Sequence, residues 1–264
     1  MTEPTRAEKC LAKCRVLGKT EFDFDGAHYV IDGSKVLLQE VYVTEGEFTI
    51  PEIVTGIYEL GTERHYESPF INCRSVKVIN HSLITDMYRM FFGCTNLLSL
   101  DLSEFDTSKV TDMGEMFSGC TALESIDLTG FNTSGVTDMD RLIKNCKSLS
   151  TLKIDINTHN VERMDRMFFG CVNLEHLSLN FDTRKVYDME QMFSGCEKLK
   201  RLSLNFDTKN LKNMSDMFSH CYALEELELS DGFFIPATTD IARLFRGCES
   251  LKRIIMKGTP ICLG

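Results

Sequence analysis

One unit of about 25 residues recurs through most of this 264-residue chain, and that periodicity limits the fold more than any other feature. The segment from Thr111, TDMGEMFSGCTALESIDLTGFNTSGV, returns as TDMYRMFFGCTNLLSLDLSEFDTSKV from Thr85 and as YDMEQMFSGCEKLKRLSLNFDTKNL from Tyr187. Its first Met falls at Met87, Met113, Met139, Met164, Met189 and Met214, with Ile241 in seventh place, at spacings of 26, 26, 25, 25, 25 and 27. A cysteine follows seven residues later each time, at Cys94, Cys120, Cys146, Cys171, Cys196, Cys221 and Cys248. Repetition in phase means a stacked array whose units touch mainly their neighbours. A single unit buries too little to offset the ordering of its backbone, so stacking is obligatory.

Each unit has three parts. After the cysteine comes L-x-x-L-x-L, as in Leu123, Ile126 and Leu128. The last two apolar positions are two apart, so they alternate like a strand, and strands stacked in register make a parallel sheet. Ahead of the cysteine, Met113, Met116 and Phe117 sit at i, i+3, i+4. That spacing predicts one turn of helix, capped by Thr111 or Asp112. Gly93, Gly119, Asn145, Gly170, Gly195, His220 and Gly247 follow, residues that tolerate the left-handed conformation in which such a turn stops. The third part is a corner: Phe105-Asp106-Thr107, Phe131-Asn132-Thr133, Ile156-Asn157-Thr158, Phe181-Asp182-Thr183 and Phe206-Asp207-Thr208. There the aromatic or Ile should point inward while Asp or Asn bonds its own backbone two residues on.

These residues resemble the leucine-rich repeat superfamily. More narrowly they resemble the BspA-type repeat of bacterial surface proteins, M-x-x-M-F-x-G-C-x-x-L-x-x-L-x-L, over residues 70–257. Phe48–Ile79 resembles a related variant through Ile50-Pro51-Glu52-Ile53-Val54, with Phe70, Cys73, Val76 and Ile79 at the offsets of Phe117, Cys120, Leu123 and Ile126. The resemblance implies an α/β repeat solenoid, with short parallel strands on one side, short helical turns on the other and a β-rich N-terminal cap. It also implies adhesion or protein recognition, usually on cell surfaces. The expected organisation is a helix and β-hairpin cap over 1–47, a degenerate first repeat over 48–84, seven repeats over 85–257 and a short tail over 258–264. In the cap, a helix within residues 2–17 would gather Cys10, Leu11, Cys14 and Leu17 on one side, and Asp25-Gly26 and Asp32-Gly33 signal hairpins. A recognition module of its own is the alternative reading of this piece. At the other end, Thr259–Gly264 either leaves a sheet edge open to end-to-end self-association or folds over it at Pro260.

Chemistry is harder to find. A net charge of −10 makes nucleic acid and anionic membrane poor partners, since both are repelled. Residues 1–20 have no apolar core of a signal peptide, and no apolar run reaches the roughly 18 residues that span a bilayer. Of the 11 cysteines, those of the repeat lie one unit apart rather than in C-x₂-C pairs, which reads as core packing with reduced thiols and points to a cytoplasmic setting. Cys10 and Cys14 also read as core. The Met column, with Phe, fills a core rather than holding a soft metal. Asp106, Asn132, Asn157, Asp182 and Asp207 interchange Asp with Asn, as a turn permits and a calcium cage does not. The six histidines (His28, His65, His81, His159, His176, His220) share no spacing, and neither G-x-S-x-G nor H-E-x-x-H occurs. No catalytic residue, metal or cofactor is expected. The remaining candidates are the outward strand positions of a concave face: Ser99, Asp101, Ser125, Asp127, Thr151, Lys153, His176, Ser178, Arg201, Ser203, Glu226, Glu228 and Arg253. A shallow polar strip of this kind suits a protein partner better than a small molecule. The competing reading is a merely solvated face.

Overall fold

The computed structural model describes residues 4–51, 53–54, 56–57, 68–80, 84–256 and 259–262. Glu52, His65, His81 and Lys257 lie outside the described residues, as does much of the region between 55 and 67. The chain begins with a helix, α1 (Arg6–Val16), which is closed by a reciprocal cap between Thr5 and Glu8. Cys14 is buried on it, Cys10 and Leu11 are half-buried, and Leu17 faces solvent. Three strands follow, β1 (Glu21–Phe24), β2 (Ala27–Asp32) and β3 (Lys35–Val41), paired antiparallel as a meander. Asp25 and Gly26, both at positive φ (44° and 81°), turn the first hairpin. A short strand, β5 (Gly56–Ile57), pairs in parallel with β3.

The solenoid strands stack from β4 (Glu45–Ile50) through β6 (Ser75–Asn80) to β7 (Ser99–Asp101), in parallel. They continue as the pair β8 (Ser125–Asp127) and β9 (Thr151–Lys153), then as β10 (His176–Leu179), β11 (Arg201–Leu204), β12 (Glu226–Leu229) and β13 (Arg253–Met256). The tail returns as β14 (Thr259–Cys262), antiparallel to β13, so it covers the sheet edge there. One continuous core joins the N-terminal meander and the solenoid, running from Cys14, Phe22 and Tyr29 through Phe48 and Phe70 to Phe218 and Leu227.

The expected helical turns are absent. Among the described residues, α1 is the only helix. The Met-x-x-Met-Phe segment instead reverses twice, through a run of tight turns. Met116 N–H donates to Met113 O (3.3 Å), Ser118 N–H to Glu115 O (3.0 Å) and Cys120 N–H to Phe117 O (3.1 Å). Glu115 and Gly119 take positive φ, 53° and 81°, and each reverses the chain. The alternate N–H groups therefore point along the stack: Met113 to Asp138 O (3.1 Å), Glu115 to Asp140 O (2.8 Å), Phe117 to Leu142 O (2.8 Å) and Gly119 to Lys144 O (2.8 Å). A helical turn would have spent those donors on itself. Burial of Met113, Met116 and Phe117 satisfies the i, i+3, i+4 spacing in either geometry, and hydrogen bonding between rungs decides for the turns.

The side-chain columns follow from this register. Phe91 stacks on Phe117 (centroids 5.5 Å apart), Phe168 on Phe193 (5.2 Å) and Phe193 on Phe218 (5.9 Å), with Ile143 replacing Phe in one rung. Each buried thiol of the repeat column donates back to the previous rung, Cys120 to Phe91 O (3.1 Å) and Cys196 to Phe168 O (3.2 Å) among them. At the corners Asp106 Oδ1 accepts from Ser108 N–H (2.8 Å) and Asn157 Oδ1 from His159 N–H (3.0 Å), the local turn bonds expected there. The adjoining threonines are buried, and each hydroxyl donates to the next rung, as Thr133 does to Asn157 O (2.8 Å).

Two expectations follow. Gly170 has φ +69°, and a Cβ there would lie 2.4 Å from Asn145 Oδ1. Gly170→Ala should cost about 1–2 kcal/mol in a denaturant melt, whereas Asn145→Gly, at φ 58°, should cost little; equal losses would refute the left-handed requirement. Among the described residues the buried Tyr29 hydroxyl has no hydrogen-bond partner, so Tyr29→Phe should leave the melting temperature unchanged or raise it. A clear drop would show that the hydroxyl is satisfied in solution.

Candidate functional site

In-register parallel strands set outward side chains in rows. His176 is opposite Arg201 and Ser178 opposite Ser203, and next along, Arg201 is opposite Glu226 and Ser203 opposite Glu228. Neighbouring strands lie about 4.8 Å apart and successive outward positions about 7 Å apart. A shallow recess of about 580 Å³ results, lined by His176, Ser178, Arg201, Ser203, Glu226 and Glu228. Six of the thirteen candidate positions meet here. The other seven lie along the same face: Ser99 and Asp101 on β7, Ser125 and Asp127 on β8, Thr151 and Lys153 on β9, and Arg253 on β13. All are solvent-exposed. The strip is segmented, because β7, the β8–β9 pair and β10–β13 belong to three separate sheets.

Much of the strip's charge is already spent. Lys153 Nζ reaches Asp127 Oδ2 at 2.9 Å, and Arg253 pairs with Glu226. Thr129 O–H donates to Asp127 as well, and these bonds hold its carboxyl down at about 2. The Ser103 backbone N–H lowers Asp101. Ser99 shares a hydroxyl hydrogen bond with Ser75 (2.6 Å).

A second cluster, which the sequence reading missed, lies on the double-turn face. Arg89 donates twice to Glu115 (3.1 and 3.3 Å), and Arg243 pairs with Asp216 (2.6 Å). From Glu115 a network runs on through Arg141 to Asp140 and Asp165. Aspartates in one column cap their own turns, as Asp112 does by accepting from Gly114 N–H (2.8 Å). Arg163 occupies that column in the fourth rung and reaches Asp138 (3.1 Å), Asp140 (3.4 Å) and Asp165 (2.9 Å) at once. Arg166 then links Asp165 to Glu190 (2.7 Å). Glu115, Asp140, Asp165 and Asp216 are buried. A signal was present: the column Arg89, Glu115, Arg141, Arg166, Gln191, Asp216, Arg243 mixes basic and acidic residues where the apolar columns repeat one type. Beside it lies a wider recess of about 770 Å³, with Lys147, His220, Tyr222 and Arg246 on its walls. Tyr222 is 45% exposed.

Reactive chemistry is not evident. Burial pushes the Cys171 thiol up to about 12 and Cys248 to about 11, far from a nucleophile's range. Among the described residues no three His, Cys, Asp or Glu side chains converge as a metal ion needs, and no helix is long and apolar enough to cross a membrane.

A family model described as "Mycoplasma protein of unknown function, DUF285" matches residues 64–177 and again 152–257. No curated protein matches the chain. Similar solved structures include a leucine-rich repeat protein from Bacteroides ovatus, at 18% identity over 89% of this chain and 70% of that one, with a TM-score of 0.47. The leucine rich repeat protein of T. pallidum is 16% identical over 88% and 90% of the two chains, TM-score 0.40. A leucine rich cell surface protein from Faecalibacterium prausnitzii is 13% identical over 90% and 95%, TM-score 0.28.

The acidic network carries a pH signature. Burial, then the Asp138 carboxylate, raises the Asp140 carboxyl to about 6, with Arg141 and Arg163 opposing. A folded-state value above the unfolded one means that Asp140 favours folding in acid and loses that contribution as pH rises through about 6. The melting temperature of Asp140→Asn minus that of the natural protein should therefore increase between pH 4.5 and 7. A flat difference would show that the arginines keep Asp140 ionised throughout.

Proposed function

Because the chain belongs to the DUF285 family, whose members are described as being of unknown function, its function has to be read from its surface, and we propose that it is a non-enzymatic recognition scaffold. In this reading a partner protein binds along the outward strand face. The observation that carries it is the recess over β10–β12, where two rows of polar side chains are held in register by a rigid parallel ladder. Shallow polar surfaces on stacked repeats suit extended protein segments. The absence of converging reactive groups among the described residues leaves binding as the activity the geometry favours. The wider recess with Tyr222 is a second surface of the same kind, on a different face.

A second reading has its own support. Phe245, Leu251, Ile254 and Met256 in the last rung are only half-buried and Ile241 is 45% exposed, whereas Met214, Phe218 and Leu227 at the same positions one rung earlier are 1% exposed or less. That end suits self-association or adhesion.

The test is retention of partner proteins by the purified protein beside a variant carrying Asp101→Lys, Asp127→Lys and Glu228→Lys. A partner held by the natural chain and lost by the variant fits the strand face. Retention by both moves binding elsewhere, and sedimentation that depends on protein concentration favours the self-associating reading.

A further inference from the structure

Of the cations along the strand face, nearly all are neutralised in place. Lys77 pairs with Glu104, Lys153 with Asp127 and Arg253 with Glu226. Lys200 and Lys252, at the margin, pair with Glu175 (2.7 Å) and Glu225 (3.8 Å). Arg201 differs. It is exposed in the middle of the recess, and among the described residues its guanidinium has neither an ion pair nor a hydrogen bond. His176 stands opposite it on β10, and Ser178 and Ser203 supply two hydroxyls one step further along the same strands. All four side chains belong to the recess, and none is committed to another group among the described residues.

The dimensions suit one small anion. Four side chains at the corners of a patch of roughly 5 by 7 Å can converge on a single group. A guanidinium offers a planar pair of donors that matches a carboxylate, and hydroxyls rotate to meet the remaining lone pairs. Glu226 and Glu228 follow on the adjacent strand. Glu226 is drawn toward Arg253, and Glu228 has no cation within reach among the described residues. Their charge opposes a phosphate dianion more than a single carboxylate, and Glu228 suits a cation placed further along the same ligand. In a chain of net charge −10 this is a local positive island with an acidic border.

We propose that His176, Ser178, Arg201 and Ser203 form a receptor for one carboxylate of an acidic partner segment, an inference that rests on the strand face being the binding face. The ligand is an Asp or Glu side chain in an extended peptide lying across β10 and β11. Register comes from the acidic neighbours: a basic residue next in the peptide meets Glu228, and a second acid there is rejected.

The experiment is a titration of the ¹⁵N-labelled protein with an acetylated, amidated Gly-Glu-Gly peptide, whose side-chain carboxylate is its only charge. The matching Gly-Gln-Gly peptide is the control, and inorganic phosphate is a separate arm. Expected are saturable amide shifts confined to β10 and β11 with the Glu peptide and none with the Gln peptide. Arg201→Ala should weaken binding roughly tenfold, and Glu228→Gln should tighten it roughly twofold. Both positions are exposed, so neither substitution threatens the fold. Shifts that do not saturate, that keep the same affinity in Arg201→Ala, or that phosphate produces at lower concentration than the Glu peptide each overturn the assignment. Partner loss in the triple Lys variant without peptide binding keeps the strand face and removes the carboxylate receptor. Peptide binding without such a partner does the reverse.

Discussion

Hydrogen bonding from one rung to the next through the double turn is the constraint on which the rest depends. Four N–H groups per rung, such as those of Met113, Glu115, Phe117 and Gly119, donate to carbonyls one rung on. Those bonds force two residues in each rung into the left-handed region, at a local cost of about 1–2 kcal/mol apiece for side chains other than Gly. In return they lock every rung to its neighbour at a single height. The strand pairing, the phenylalanine stacks, the thiol-to-carbonyl bonds and the row-by-row alignment of the outward side chains all inherit that register.

The sequence disclosed what repeats and concealed what couples. Apolar columns were legible because Met, Phe, Cys and Leu recur in phase, and the turn at Asn145 and His220 was legible because those residues share a conformational tolerance with Gly. The double turn was not. Met113, Met116 and Phe117 fit a helix equally well, and the residue that decides, Glu115 at φ 53°, is chosen for charge rather than for backbone freedom. Its column holds Arg, Glu and Gln as well as Asp, and of these only Asp, at Asp216, favours a left-handed bend. Arg163 was hidden for a similar reason. It breaks the Asp column, and its role shows only when three carboxylates from three rungs are found around it. On the strand face the sequence supplied all thirteen positions but not their grouping, which depends on where the ladder pairs and where it is interrupted.

The two faces divide the polar work. On the double-turn side, charges are sequestered and mutually satisfied across rungs, so they resist replacement and fix the stacking partner of each unit. On the strand side, charges are mostly exposed, and Arg201 and Glu228, without an ion pair among the described residues, lie together in the recess over β10–β12. A repeat protein can vary the second set without disturbing the first, because the outward strand positions contribute little to the core that Leu177, Leu202 and Leu227 build behind them.

The cysteine column has a practical meaning beyond packing. Cys120, Cys146, Cys171, Cys196 and Cys221 show no exposed surface, each thiol is bonded to a carbonyl of the preceding rung, and each is held protonated, Cys120 by its contact with Cys94 and by burial, the others by burial. Alkylation or oxidation of any one requires its own rung to part from the next. Cys248, half-buried in the last rung, is the exception at the edge. The chain thus carries one chemical reporter per rung, and the order in which the thiols react is the order in which the stack unzips.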